Sequence, residues 1–109
     1  MSTMSAKKDA KPHLLSLDLC HQSAECLKVM AHPMRLRIVD ILMQGEFPVQ
    51  RVAELCGLPS HQISEHLRLL QGHGLLASQR RGRSVFYMIT SPRLPALLQC
   101  IRTTCKNGK

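Results

Sequence analysis

Two short stretches of helical periodicity, three residues apart, limit what this chain can fold into. In the first, Val49, Val52, Ala53 and Cys56 recur at i, i+3, i+4 and i+7; in the second, Ile63, Leu67 and Leu70 recur at i, i+4 and i+7. At 3.6 residues per turn each set stacks on one face of a helix. Between them stand Gly57, Leu58 and Pro59. Glycine accepts the left-handed conformation that closes a helix, so the first helix ends there and the second begins at once. Ser60 is placed to cap the second helix, and Gly72 and Gly74 supply its stop. Two short helices joined by a tight glycine turn make a helix-turn-helix candidate. The second helix is two-sided: opposite its apolar stripe lie His61, Gln62, Ser64, Glu65 and Arg68. An ordinary amphipathic surface helix has the same pattern, so the rest of the chain must decide between them.

A chain of 109 residues builds one compact domain. Hydrophobic residues reach 44% but aromatic ones only 3%, with no Trp, so the core must be Leu, Ile, Val and Met, which favours packed helices. Residues 1–15 read as a flexible basic arm, polar at the front and without periodicity. From about Ser16 to Ala31 a stripe of Cys20, Ser23, Ala24, Leu27, Met30 and Ala31 predicts a first helix. It stops at His32, because the residue before a proline is pushed out of the α region. Pro33 then opens a second helix, apolar except at Arg37, Asp40 and Gln44 and closed by Gly45; it should be the most buried element. A short link containing Pro48 leads into the helix-turn-helix. A last helix runs from about Ser91 to Cys105 with Leu94, Leu97, Leu98, Ile101 and Cys105 on its stripe, and Pro95 is placed to delay its regular part by a turn. Residues 106–109 form a tail.

The charge is strongly one-sided. A formal net charge of +8 and a pI near 9.8 point to a polyanionic partner. The positive residues gather in patches at Lys7, Lys8 and Lys11, at Arg80, Arg81 and Arg83, and at Arg102, Lys106 and Lys109. The middle patch surrounds Gly82 between two runs, Leu75–Arg80 and Arg83–Thr90, the second rich in β-branched and aromatic residues. That is a β-hairpin with an arginine-loaded turn. A solvated turn is the plain explanation, but three arginines around one glycine just after the second helix favour contact with phosphates or a minor groove. Ser60, His61, Gln62, Ser64, Glu65, His66 and Arg68, grouped near the start of that helix, then suit a helix whose N-terminal end enters a DNA major groove. No apolar run is long enough to cross a membrane and no signal-peptide core is present, which predicts a cytosolic chain with no membrane partner. Five cysteines without a regular framework are then reduced thiols.

The fold class that results is mainly α with a small β-hairpin wing, in the order α-α-α-α-β-β-α: a winged helix-turn-helix over residues 16–105. The sequence resembles the ArsR/SmtB family of bacterial winged-helix repressors. The residues that carry the resemblance are Met30–Ile38, Val52–Leu58, Ile63–Leu70, Gly74-Leu75-Leu76 and Arg81–Tyr87. It implies a homodimer formed by the first and last helices, two recognition helices in successive major grooves of a near-palindromic duplex, and repression relieved by a metal ion or a thiol-reactive signal. The first turn of the recognition helix departs from the family at Pro59, Ser60 and His61, whereas Ser64, His66 and Leu67 match. Ser64 is the foremost base-reading candidate and Gln62 the next; His66 either joins them or serves as a structural hydrogen-bond donor.

The signal site is where the resemblance thins. Many members carry a Cys-x-Cys pair at the start of the third helix, where this chain has Pro48 and Gln50. Others bind zinc through Asp and His pairs on the last helix, but no histidine follows His73. Cys56 falls on an apolar face and suits a small core residue. Cys20, Cys26, Cys100 and Cys105 remain as candidates for a soft metal, a metalloid or a redox signal. A six-residue step turns a helix by ~120° net and a five-residue step by ~140°, with ~8–9 Å between Cα atoms, so neither pair meets on its own helix. A site needs two helices, two subunits or an unwound C-terminal turn; otherwise these thiols are packing residues and DNA binding is constitutive or differently regulated. An enzyme is disfavoured, since there is no Cys-x-x-Cys, glycine-rich phosphate loop or acid–base pair. An RNA-binding module fits the charge, but the three aromatic residues, Phe47, Phe86 and Tyr87, are few for stacking on bases.

Overall fold

The computed structural model describes residues 11–104. Residues 1–10 and 105–109, which hold Lys7, Lys8, Cys105, Lys106 and Lys109, lie outside the described residues. The elements run α1 (Leu17–Met30), α2 (Pro33–Leu42), β1 (Phe47–Pro48), α3 (Val49–Cys56), α4 (Ser60–Gly72), β2 (Leu76–Arg81), β3 (Ser84–Ile89) and α5 (Arg93–Thr104). This is the winged helix-turn-helix order with one strand more than the periodicity predicts. The short link turns out to be β1, which pairs antiparallel with β3 through Phe47↔Tyr87 and Pro48↔Phe86, so the sheet order is β1-β3-β2. Two residues leave no alternation to detect, and proline is tolerated because the strand lies at the sheet edge.

Local chemistry accounts for the boundaries. The Ser16 side chain accepts from the Leu19 amide and starts α1; His32, extended at φ −150°, ψ 123°, separates α1 from α2 and caps α2 by accepting from the Met34 amide at Nδ1. Both helices of the helix-turn-helix end in a Schellman motif. At α3, Leu58 N donates to Ala53 O and Gly57 N to Glu54 O, with Gly57 at φ 71°; at α4, Leu75 N donates to Leu70 O and Gly74 N to Gln71 O, with Gly74 at φ 74°. Gly74 is thus the stop, and Gly72 lies inside the helix. The N-cap of α4 is Pro59 rather than Ser60, and no side chain caps that end; the Pro59 carbonyl takes the Gln62 and Ile63 amides. The hairpin loop is Gly82-Arg83, one residue later than the sequence suggests, because Arg81 pairs with Ser84. Gly82 at φ 64° takes the first loop position, as a type II′ turn asks. Pro95 does not delay α5: it sits in the first turn, where its missing N–H has no helical partner to lose.

The core draws on every helix. Met30, Ile38, Val39, Val52, Ile63, Leu67, Leu70 and Leu94 are essentially inaccessible, and Leu75, Leu76 and Tyr87 carry the core into the wing. The stripe expected on α1 is only partly the buried one: Cys26, Val29 and Met30 face inward, while Cys20, Ala24 and Leu27 face out. On α5, Leu94 and Leu98 are buried and Ile101 is exposed. Among the described residues no helix is long and apolar enough to cross a membrane.

Candidate nucleic-acid interface

The apolar side of α4 (Ile63, Leu67, Leu70) is wholly buried, which fixes the direction in which its polar side points. Ser60, His61, Gln62, Glu65 and Arg68 are exposed; Ser64 is half-buried at the edge of the same face. The uncapped N-terminal end of α4 leaves backbone N–H groups of the first turn directed outward, the usual setting for a phosphate. At its other end α4 is joined to the wing, where Gln71 Nε2 donates to Ser78 Oγ at 3.2 Å. The polar side of the helix and the hairpin are therefore held as one unit.

The three wing arginines do not play one part. Arg80 and Arg83 are exposed at and beside the loop. Arg81 is turned back: its guanidinium pairs with Glu46, donates to Gln79 Oε1 at 2.8 and 3.0 Å, and lies 4.5 Å from the centre of the Phe86 ring. Its partners tie the hairpin to the link before β1, so this exposed cation already has an intramolecular counter-charge.

His66 also stands apart from the reading face. It is half-buried against the start of α2, its ring 4.8 Å from that of His32 in an edge-on arrangement. Its Nδ1 accepts from Arg35 Nε at 3.3 Å. It is therefore a structural acceptor in this contact, whereas the sequence left it as either a base reader or a structural donor. Burial pushes its pKa below the ordinary histidine value; the neighbouring His32 and Arg35 push the same way, and Glu65 opposes them. The contacts of Arg35 and Glu46 carry no sequence signal of their own, since their partners lie 31 and 35 positions away.

The helix-turn-helix with its basic wing matches known proteins in both sequence and shape. Residues 30–79 match a family model described as a helix-turn-helix domain. The transcriptional repressor PagR of Bacillus anthracis is 33% identical over 94 residues, covering 85% of this chain and 91% of the relative. The chain belongs to the ArsR/SmtB family. Among solved structures of ArsR/SmtB-like shape, reduced HlyU from Vibrio cholerae superimposes with a TM-score of 0.77 at 25% identity, covering 82% of this chain and 94% of the other. The homodimeric winged helix-turn-helix DNA-binding domain of Mb0332 from Mycobacterium bovis does so at 0.73 with 28% identity, covering 84% of each. This ArsR/SmtB chain is accordingly a winged helix-turn-helix transcription regulator of the repressor class.

Of the thiols that the sequence put forward, Cys20, Cys26 and Cys100 fall among the described residues, each without a disulfide there. Cys20 on α1 and Cys100 on α5 are exposed, and Cys26 is buried on the inner side of α1. Cys56 is half-buried against the core; burial raises its pKa and so favours the protonated thiol, while the Arg37 cation opposes this in part. Among the described residues no three His, Cys, Asp or Glu side chains gather in a way that could hold a metal ion. Arg102, expected in a free basic patch, pairs with Asp40 and ties α5 to α2.

Proposed function

We propose that the chain is a homodimeric, cytoplasmic repressor that reads a near-palindromic DNA operator and is released from it by a thiol-directed signal. The observation that carries the reading is the division of α4: one side wholly buried, the other open beside the exposed Arg80 and Arg83. Ser64 and Gln62 take base edges in the major groove, with Ser60, His61, Glu65 and Arg68 around them; Arg80 and Arg83 take phosphates, while Arg81 and His66 hold the frame. Dimerisation is supported by the outward leucines of α1, Leu17, Leu19 and Leu27, together with Ile101 of α5, and by the homodimeric domain of Mycobacterium bovis. A two-fold dimer sets half-site centres about one helical turn (~10 bp), or a multiple, apart.

The signal is a soft metal or metalloid such as arsenite, or an oxidant or persulfide, acting on Cys20, Cys26, Cys100 and Cys105. These thiols belong to the stretches that form or adjoin the outer helices, the elements assigned to the dimer interface. The test starts from a duplex enriched by the chain from a random-sequence pool. Its affinity is measured for the reduced protein with and without arsenite, Cd(II), Zn(II), peroxide and persulfide, then with each cysteine changed to Ser. The expected result is a loss of affinity with one class of signal, at a coupling of about 1–3 kcal/mol, abolished by at least one substitution. Constitutive binding, with cysteines that only pack, is the outcome if no signal shifts the affinity.

A further inference from the structure

The first two turns of α4 carry the side chains assigned to base reading, yet their start has no side-chain cap. Among the described residues, one side-chain hydrogen bond joins these turns to another element, that from Arg35 Nε to His66 Nδ1. Arg35 does more than meet His66. Its Nη1 donates at 3.0 Å to the carbonyl of Val29. Val29 lies in the last turn of α1, where carbonyls have no donor within the helix, so the guanidinium satisfies a group that would otherwise be orphaned. Arg35 itself stands in the first turn of α2. A planar fork with donors on separate nitrogens can bridge two acceptors in fixed directions, which a lysine ammonium does not reproduce. Gln62 stands one turn before His66 on α4, so a shift at His66 is carried to a base-reading position.

We propose that Arg35 is a positioning residue for DNA reading, its fork fixing the recognition helix α4, through His66, to the last turn of the outer helix α1. The proposal rests on the assignment of α4 as the reading helix. It adds what sets that helix and how displacement of α1 reaches it: through one guanidinium whose two bonds share a rigid plane.

The contact has a chemical signature. Nδ1 of His66 accepts only while it carries no proton, which leaves the ring proton of the neutral form on Nε2. A protonated His66 loses the bond and also faces the Arg35 cation and the His32 ring, with Glu65 as the nearby opposing charge. Because the folded pKa lies below the ordinary value, the contribution of the neutral ring is complete above the ordinary histidine pKa. It is lost as pH falls from there through the folded pKa. A cationic His66 adds attraction to any duplex, so the informative quantity is discrimination between sequences rather than affinity alone.

The test uses the full chain, the duplex that the wild type enriches from a random-sequence pool, and a scrambled duplex of the same length. Arg35→Lys keeps the charge without the fork and is expected to lose about tenfold in discrimination, the scale of one charge-assisted hydrogen bond, while unfolding remains cooperative. In the wild type, discrimination falls as pH is lowered from neutral toward about 5. His66→Gln offers a carbonyl that accepts from Arg35 and does not titrate. It is expected to keep wild-type discrimination at neutral pH and to lose the acid-dependent decline. Wild-type discrimination in Arg35→Lys, or the same acid decline in His66→Gln, would overturn the proposal. If the pool yields no enriched duplex, the DNA-reading assignment fails and this role for Arg35 fails with it. The fork is then judged separately by the His66 ring titration, which moves up in Arg35→Gln if the guanidinium faces it and stays in place if it does not.

Discussion

The helix-turn-helix and the outer helices treat their apolar residues in opposite ways. In α4 the stripe Ile63, Leu67 and Leu70 is completely covered by the same chain, and the polar residues on the other side are left free. In α1 the inward residues Cys26, Val29 and Met30 are covered, but Leu17 and Leu27 remain 69% and 53% exposed. The first region is finished within one protomer. The second has a surplus apolar face, and leucines in that number on one helix and its approach are what an interface, rather than a solvated surface, requires. On the proposed function, the difference puts reading and assembly on separate faces, joined by a small set of polar ties: Arg35 to His66 and Val29, and Asp40 to Arg102.

The contrast can be broken most forcefully at Leu67. Leu67→Ala empties a site with no exposure at the centre of the core and should cost about 2–5 kcal/mol in urea unfolding, enough to unfold much of a small domain. If Leu67→Ala proved neutral, α4 would not be anchored as described.

At Leu27 the opposite is expected. Leu27→Glu places a charge where the side chain is already half in solvent, so the protomer keeps its fold. The assembly should change instead, from dimer to monomer in sedimentation, with loss of tight binding to a two-half-site duplex. A dimer that survives this change would assign the interface to another face.

The finest distinction lies within the reading unit. Ser64→Ala or Gln62→Ala should reduce discrimination by roughly 1–3 kcal/mol per lost base-edge pair and leave affinity for random duplex nearly unchanged. Arg83→Ala should weaken all duplexes alike and lower the log–log salt slope by about 0.9. Arg81→Ala should affect the slope less than Arg83→Ala, because Glu46 already neutralises that cation. Equal losses on selected and random DNA for Ser64 and Arg83 variants would erase the separation between base reading and phosphate contact.

The helices, their order and the wing were legible in the chain because their causes are local. Apolar spacing of three and four residues, Gly57 and Gly74 as left-handed stops, and Pro33 at a helix start act within a few neighbours, so the one-dimensional pattern carries them. Strand β1 was not legible, since two residues hold no period and its partner β3 is nearly forty positions away. The polar face of α4 could also be listed from the sequence. Which of its members stay free could not, because that depends on where α2 and the link before β1 come to rest. His66 and Arg81 look like their neighbours in the sequence but are engaged by Arg35 and Glu46, residues 31 and 35 positions away, Arg81 while still exposed. Hydrophobic periodicity decides which side of a helix is buried. Hydrogen bonds and ion pairs between distant elements decide which polar side chains are already committed, and their short range means that only the packed fold can bring those partners together.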